Sequence, residues 1–172
     1  TIPFSSLTTS NLAAVSGVST NATAQNGDNT FPNNNNYGNT PNDNALESMA
    51  SSVLYNGFGQ YALNLDVNTG SFYKLQLIIN EGSDITRTFD ISAEGNLVVD
   101  DFNTVAAENG IMDPTKAVVV TMTFKAFDSQ FNVFFDGVSS VFGPHGSTPI
   151  LDGFTLEKLS SAPSLPTDSS IE

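Results

Sequence analysis

The chain has 172 residues, of which 39% are hydrophobic, and its formal net charge is −13. Such a length lets one domain bury about 70% of the surface that the unfolded chain exposes, so we expect a single domain with a full core. The chain has only five scattered Lys and Arg residues, no Cys and no apolar run near ~18 residues, which argues against nucleic-acid binding, thiolate metal sites and membrane insertion.

The N-terminal part of the chain is polar and rich in turn-forming residues. Residues 1–45 are dense in Asn, Thr and Ser and include the run Asn33–Asn36. We interpret them as ordered loops around one or two short strands, and a disordered arm is the alternative. The segment Asn44–Tyr55 alone has a helical pattern, and it is predicted either as a helix or as one helical turn that leads into a short strand.

After this segment the hydrophobic pattern has a period of two residues, which is typical of β-strands with one buried face. The first two strands flank a turn at Val67–Gly70, and two shorter strands, Thr88–Ser92 and Asn96–Asp100, flank a turn at Ala93–Gly95. The longest predicted strand is Ala117–Phe127. The residues predicted to face inward are Tyr61, Leu63, Leu65, Tyr73, Leu75, Leu77, Ile79, Val118, Val120, Met122, Phe124, Ala126, Phe131, Val133 and Phe135.

The last predicted strand, Pro149–Leu159, contains a break in this alternation. Leu151 is followed by apolar residues three and five positions on, and Asp152-Gly153 stands between them, which predicts a β-bulge. Residues 160–172 are rich in Ser and Pro and are interpreted as a linker or tail. About eight or nine strands and little helix predict an all-β fold, an antiparallel two-sheet β-sandwich (jelly roll) formed by residues 1–159.

Several segments share their apolar spacing and a few polar positions with a known family. They are Leu54-Tyr55, Phe58–Leu63, Gly70–Glu81, Arg87–Ile91, Val98–Phe102, Ala117–Phe124, Phe131–Phe135 and Pro149–Leu156. Over residues 53–159 the chain thus resembles the malectin and malectin-like carbohydrate-binding family. The resemblance implies a galactose-binding-like jelly roll in a secreted or cell-surface protein, tethered to other domains of a larger chain, with a glycan as its partner. Many modules of this fold hold a structural Ca²⁺, so calcium is the implied cofactor.

Two positions depart from the family pattern. The family's sugar site includes a pair of aromatic residues just after the strand glutamate, but Glu81 is followed here by the non-aromatic loop Gly82–Thr86. The family's acidic residue before the closing strand has no clear match, since His145–Thr148 occupies that place. A sugar site in this chain would therefore be a rebuilt one, and a different glycan, or none, stays open.

Loop aromatics are the candidates for sugar binding, because a sugar ring packs against an aromatic face while polar groups bind its hydroxyls. Tyr37 is the leading candidate, with the amide side chains of Asn35 and Asn36 beside it, followed by Tyr55 and Phe58. The competing interpretation is that Tyr37 only covers a loop and that Phe58 belongs to the core.

Carboxylates are the candidates for a calcium site, because Ca²⁺ prefers oxygen ligands. We select Asp100, Asp101 and Asp152, and the further candidates are Asp84, Asp90, Asp28 and Asp43. The competing interpretation is that these side chains are ordinary solvated acids, which fits most of the 18 acidic residues.

Patterns that indicate catalysis are weak in this sequence. It has no Gly-x-Ser-x-Gly motif and no Trp, His145 is its one imidazole, and its one Arg, Arg87, is interpreted as a salt-bridged residue at a strand end. We therefore expect a non-catalytic carbohydrate-binding module that binds a glycan through loop aromatics and Asn or Asp side chains. The alternative is a structural or adhesion β-sandwich of a surface protein, with or without Ca²⁺, that has no sugar site.

Overall fold

Strands dominate the computed structural model, which describes residues 17–26, 38–57, 59–82, 84–112, 116–137 and 148–163. In chain order the elements are β1 (Val18–Thr20), β2 (Thr23–Asn26), α1 (Pro41–Ala50), β3 (Ser52–Tyr55), β4 (Gln60–Asp66), β5 (Phe72–Ile79), β6 (Phe89–Ala93), β7 (Asn96–Phe102), α2 (Thr104–Ala107), β8 (Val118–Lys125), β9 (Gln130–Asp136), β10 (Ile150–Leu151) and β11 (Gly153–Leu159). Every strand pair is antiparallel, so the all-β prediction is confirmed.

The segment with a helical pattern contains both a helix and a strand. A capping box starts α1: the hydroxyl of Thr40 accepts from the N–H of Asp43 at 3.2 Å, and the carboxylate of Asp43 accepts from the N–H of Thr40 at 2.8 Å. Pro41 occupies the first helical position, where its missing N–H costs nothing. The helix ends at Ala50 and β3 follows directly, so the segment contains the predicted helix as well as the predicted short strand, and the helix is longer than a single turn.

The larger sheet has five strands in the order β1-β4-β9-β6-β7. β6 and β7 form a hairpin whose two turn residues, Glu94 and Gly95, have φ values of +50° and +75°, the left-handed conformation that such a tight turn requires. The predicted turn is therefore confirmed. Side chains alternate between the two faces of a strand, and those that this sheet buries are Tyr61, Leu63, Leu65, Phe89, Ile91, Ala93, Phe131, Val133 and Phe135.

The remaining strands form two three-stranded sheets, β11-β5-β8 and β10-β3-β2. They are linked at Asp152, where the last segment changes partner: Leu151 pairs with Leu54, and Gly153 pairs with Ile78. The predicted β-bulge is wrong, because the break in alternation marks a change of partner strand. A side chain at Gly153 would collide with buried Met49, since a Cβ there would lie 2.0 Å from the Met49 sulfur, so α1 packs closely at this junction.

Side chains from the facing sheets meet in one hydrophobic core. Tyr73 stacks on Phe124 with ring centroids 5.5 Å apart, and Phe124 stacks on Phe131 at 3.5 Å, which joins the two layers through their aromatic rings. The inward-facing residues predicted on β5 and β8 all contribute to this core, as does Ala126. Among the described residues, no helix is long and apolar enough to cross a membrane.

Candidate functional site

The structure describes few of the loop residues predicted to bind sugar. Tyr55 lies at the end of β3, where it is half-buried and pairs with Ile150 and Thr23. Its backbone is thus part of a sheet, and its role in binding stays a prediction. The candidates that lie outside the described residues are Asn35, Asn36, Tyr37, Phe58 and His145.

Two of the predicted calcium ligands lie together in a bulge between β6 and β7. Phe89 pairs with Phe102 and Ile91 pairs with Val99, so a single residue, Asp90, faces the two residues Asp100 and Asp101. Asp101 has a φ of +48°, and its N–H donates to the Asp90 carboxylate at 2.8 Å. Aspartate accepts this left-handed conformation more readily than most residues do. The bulge therefore turns three carboxylates toward one another.

The spacing of these carboxylates suits a calcium ion. One oxygen from each of Asp90, Asp100 and Asp101 lies within 4.8 Å of the others, and Asp100 is exposed. Ca²⁺ binds oxygens at about 2.3–2.6 Å, so two ligands of one ion lie up to about 5 Å apart. Three carboxylates fit part of the six to eight ligands that Ca²⁺ takes, and water would complete the set. Asp152 is not a member of this group.

A cleft of about 540 Å³ opens beside Asp101, and Asn103 organises its wall. The Asn103 amide donates to the carbonyl of Arg87 at 2.9 Å and to the carbonyl of Ile85 at 3.3 Å. The Asn103 side-chain oxygen also accepts from the N–H of Ala106 at 2.7 Å, and this bond caps the short helix α2. One side chain thus fixes the loop before β6 relative to α2.

A buried ion pair stabilises the same loop from the other side. The guanidinium of Arg87 contacts the carboxylate of Glu81, and the exposed fractions of the two side chains are 13% and 1%. Arg87 also donates to the carbonyl of Thr148 at 2.6 Å, and Glu81 accepts from the N–H of Asp84 at 2.9 Å. These bonds tie the loop after β5 to the chain that enters β10. The interpretation of Arg87 as a salt-bridged strand-end residue is confirmed.

Asp152 is a buried carboxyl close to this pair. One of its oxygens accepts from the N–H of Asn80 at 2.6 Å, whereas its other oxygen and the buried hydroxyl of Tyr61 have no hydrogen-bond partner among the described residues. Burial raises the pKa of Asp152 well above its ordinary value of 3.8, and the negative charge of Glu81 raises this pKa further. Burial, followed by the charge of Asp152, raises the pKa of Tyr61. Asp152 thus lies in the domain interior, outside the group of Asp90, Asp100 and Asp101, and its role as a metal ligand stays a prediction.

The outer face of the five-stranded sheet carries an exposed aromatic ring. Because Val133 and Phe135 are buried, Phe134 between them points outward, and 40% of it is exposed. Its neighbours across the sheet are Ala62 on β4 and Ser92 on β6. Both neighbours are small, so no large side chain from the directly paired positions covers the exposed part of the Phe134 ring.

Polar side chains flank this ring in the rows above and below it. In one row Gln60 donates to the Asp136 carboxylate at 2.9 Å, and Asp136 lies opposite Asp90. In the other row Asn64 lies opposite Asn132. Amides both donate and accept hydrogen bonds and carboxylates accept them, which matches the hydroxyl groups of a sugar. We call this surface the outer face; it comprises Gln60, Ala62, Asn64, Asp90, Ser92, Asn132, Phe134 and Asp136.

The charge of the outer face has one sign. The five strands of the larger sheet contain Asp66, Asp90, Asp100, Asp101 and Asp136 but neither Lys nor Arg. Three of the five basic residues lie on the opposite sheet, on β5, β8 and β11. A neutral or positively charged ligand is therefore favoured at the outer face, and a polyanion is repelled.

Phe134 was not among the residues that the sequence predicts for binding. Its signal was nevertheless present, because once Phe131, Val133 and Phe135 are assigned to the core, strict alternation turns Phe134 to solvent. The polar side chains in the rows above and below Phe134 were not predictable, because their positions depend on which strands are neighbours and on the register in which these strands pair. The pairing of Phe134 with Ala62 and Ser92 joins residues that are far apart in the sequence.

Neither a protein-family model nor the sequence of a curated protein matches the chain. Solved structures match its fold. The ANXUR1 extracellular domain from Arabidopsis thaliana has a TM-score of 0.62 at 16% identity, and the match covers 81% of this chain and 39% of that one. A complex of the plant peptide RALF23 with FER and LLG2 contains a match with a TM-score of 0.56 at 10% identity, which covers 86% of this chain and 35% of that one.

A third match is a calcium-binding mutant of β-glucuronidase 2 from Bacteroides uniformis, with a TM-score of 0.52 at 15% identity. That match covers 80% of this chain but 14% of the enzyme chain. The chain thus spans about two fifths of the ANXUR1 domain and a small part of the enzyme. At these identities the likeness concerns the fold alone, and the chain shares the β-sandwich fold of these extracellular domains.

Proposed function

We propose that the chain is a non-catalytic carbohydrate-binding domain of an extracellular protein. The observation that supports this proposal is the exposed ring of Phe134 in the middle of a sheet face, between small residues and rows of amide and carboxylate side chains. The fold, shared with the extracellular domain of ANXUR1, supports the extracellular location and the tether to a larger chain.

A sugar would bind the outer face in a simple way. One C–H face of the ring packs against Phe134, over the space left by Ala62 or Ser92. Asn64 and Asn132 on one side and Gln60 and Asp136 on the other accept and donate to hydroxyl groups. Few groups take part and the ligand loses mobility on binding, so the affinity is modest. Tyr37 and Phe58 remain sequence-based candidates for a second contact.

The test is a glycan screen with three proteins: wild type, Phe134→Ala and Phe127→Ala. Phe127 is the matched control, because it is 86% exposed but lies in the turn after β8, away from the outer face. The panel contains neutral, amino-sugar and uronic-acid oligosaccharides. We expect binding to neutral or amino-sugar chains, loss of about tenfold in affinity for Phe134→Ala, equivalent to about 1.4 kcal/mol, and no change for Phe127→Ala.

Three other results of the glycan screen would contradict part of the proposal. A blank screen with folded protein would favour the adhesion or scaffold alternative, in which the domain contacts a peptide or protein. Hits that Phe134→Ala retains in full would move the site away from the outer face and toward the loops that carry Tyr37 and Phe58. A preference for uronic acids would contradict the charge argument.

We propose further that the carboxylates of Asp90, Asp100 and Asp101 bind Ca²⁺ and stiffen the β6–β7 bulge. At ten times the dissociation constant a bound ligand stabilises the fold by about 1.4 kcal/mol, equivalent to a rise of about 3–6 °C in melting temperature for a domain of this size. Thermal melts with Ca²⁺, Mg²⁺ or chelator measure this rise in melting temperature.

The variant Asp101→Asn tests the location of the ion. It should remove the calcium-dependent rise, and an equal rise in that variant would place the ion elsewhere. Repeating the glycan screen in chelator shows whether the ion supports the outer face, since Asp90 belongs to both.

A further inference from the structure

Strand β8 is an edge of the sandwich that is unusually regular. It is the last strand in the order β11-β5-β8, and among the described residues no strand pairs with its other side. All eight residues from Val118 to Lys125 pair with β5 without a register shift. The edge strand β7 of the larger sheet, in contrast, pairs with β6 through two register shifts. Shifts of this kind protect an edge from further pairing, and β8 lacks that protection.

The composition of β8 also suits pairing. Its sequence VVVTMTFK combines β-branched and aromatic residues with a single charge at its end and no Pro or Gly. Its outward side chains are Val119, Thr121, Thr123 and Lys125, and Val119 is 48% exposed. Edge strands that stay single usually carry charges along their middle. Here the middle of the strand is neutral.

Antiparallel pairing of β8 with a second copy of itself is self-complementary in one register. If Met122 lies opposite its own equivalent, Thr121 lies opposite Thr123 of the other copy and Val119 lies opposite Lys125. Threonine pairs across strands are favourable, the Lys125 stem covers Val119, and no like charges meet. A two-fold axis perpendicular to the sheet produces this arrangement and keeps both inner faces on the same side.

The inner side of β8 has room for the partner strand. A groove of about 520 Å³ runs along the second half of β8, and its apolar lining includes Met122, Phe124, Val98, Phe127 and Phe131. In the register above, Val120 and Met122 of the second copy approach this part of the strand. Apolar side chains would thus replace water in an apolar groove, which favours association.

We infer that the chain forms a symmetric dimer in which the two β8 strands pair antiparallel about Met122 and join their three-stranded sheets into one six-stranded sheet. The partner is a second copy because the outward side chains of β8 complement one another across a two-fold axis. This inference concerns a different surface from the glycan site, so its failure would leave the proposed function untouched.

Two double variants of the 172-residue chain test the pairing. In T121E/T123E, the two introduced carboxylates face each other across the axis; in T121K/T123E, an introduced ammonium group faces an introduced carboxylate instead. The variants differ only at position 121, which lies beside neutral Gln76 on β5, whereas position 123 lies beside Lys74 and carries the same T123E change in both. Their effects on the single fold are therefore closely matched, and circular dichroism and thermal melts check that each folds.

The measurement is molar mass by light scattering and sedimentation, from micromolar to near-millimolar protein. We expect twice the chain mass for wild type, the single mass for T121E/T123E, and recovery of the double mass for T121K/T123E. Wild type that stays monomeric at every concentration would overturn the inference. So would a dimer that survives in T121E/T123E, because it forms elsewhere, or a loss in both variants, because the register is then different.

Discussion

Replacing Arg87 by alanine is expected to lower the free energy of unfolding by about 3–5 kcal/mol, which is the typical cost of removing one partner from a buried ion pair. Glu81 would keep its bond from the N–H of Asp84, but its carboxylate, 1% exposed, would lose its cation. The carbonyl of Thr148 would lose its donor as well. Chemical denaturation followed by tyrosine fluorescence or circular dichroism measures the change.

The chain provides a matched control for this experiment. Lys74 and Glu157 form an ion pair with a distance of 3.2 Å, but their side chains are 36% and 45% exposed. Lys74→Ala should cost less than about 1 kcal/mol, because water screens exposed pairs. A loss in Arg87→Ala no larger than that in Lys74→Ala would contradict the structural role of the buried pair. It would mean that water reaches Glu81 and solvates it.

The strands were predictable because they are local patterns. Alternation along β4, β5, β8 and β9 shows which side chains enter the core, and the turn at Glu94-Gly95 is marked by a glycine that accepts positive φ. The change of partner at Asp152 was misinterpreted because a bulge and a switch between sheets leave the same trace in the sequence. Both interrupt the alternation at one residue, and only the identity of the neighbouring strand separates them.

The candidate site was less predictable, because it is assembled by register. Asp100 and Asp101 were chosen from sequence for their adjacency, but their third partner, Asp90, is set by a bulge that aligns one residue with two. The short helix α2 and its cap Asn103 were not predicted at all, since four helical residues leave no periodic pattern. The burial of Asp152 was not predictable either, because residue type alone carries no information on burial.

Asp152→Asn is expected to raise the free energy of unfolding at pH 7, because wild type must bury an ionised carboxylate or take up a proton, and each unit by which burial raises a pKa costs about 1.4 kcal/mol at neutral pH. The amide keeps an oxygen that accepts from the N–H of Asn80, has nearly the same shape, and brings no charge into the interior. Few substitutions in a natural core are expected to stabilise it. This one is, because the carboxyl is fully buried and its ionised form is costly in the interior.

The raised pKa of Asp152 determines how the stability difference between Asp152→Asn and wild type varies with pH. The pKa of Asp152 is raised in the folded state, so its proton contributes stability that is complete below the ordinary pKa of 3.8 and is lost as pH rises through the folded-state pKa. The advantage of Asp152→Asn should therefore be largest at neutral pH and shrink as pH falls toward 4. Glu81 and Arg87 are present in both proteins but act on a charge at position 152 only in wild type, where Glu81 adds to the advantage of asparagine and Arg87 reduces it.

Asp43 is a carboxylate of the same chain whose pKa is lowered in the folded state, the opposite of Asp152. The bonds from Thr40 in the capping box lower the pKa of Asp43, so this carboxylate contributes stability above its ordinary pKa that is lost on acidification. Asp43→Asn should therefore be less stable than wild type at pH 7, and its deficit should shrink only as pH falls below the ordinary pKa of 3.8. Denaturation curves for wild type and both variants from about pH 2 to pH 8 would show two differences of opposite sign, of which the Asp152→Asn gain shrinks as pH falls toward 4 and the Asp43→Asn deficit shrinks only below that. A difference for Asp152→Asn that is negative, or that does not change with pH, would mean that water or a partner group compensates this carboxyl.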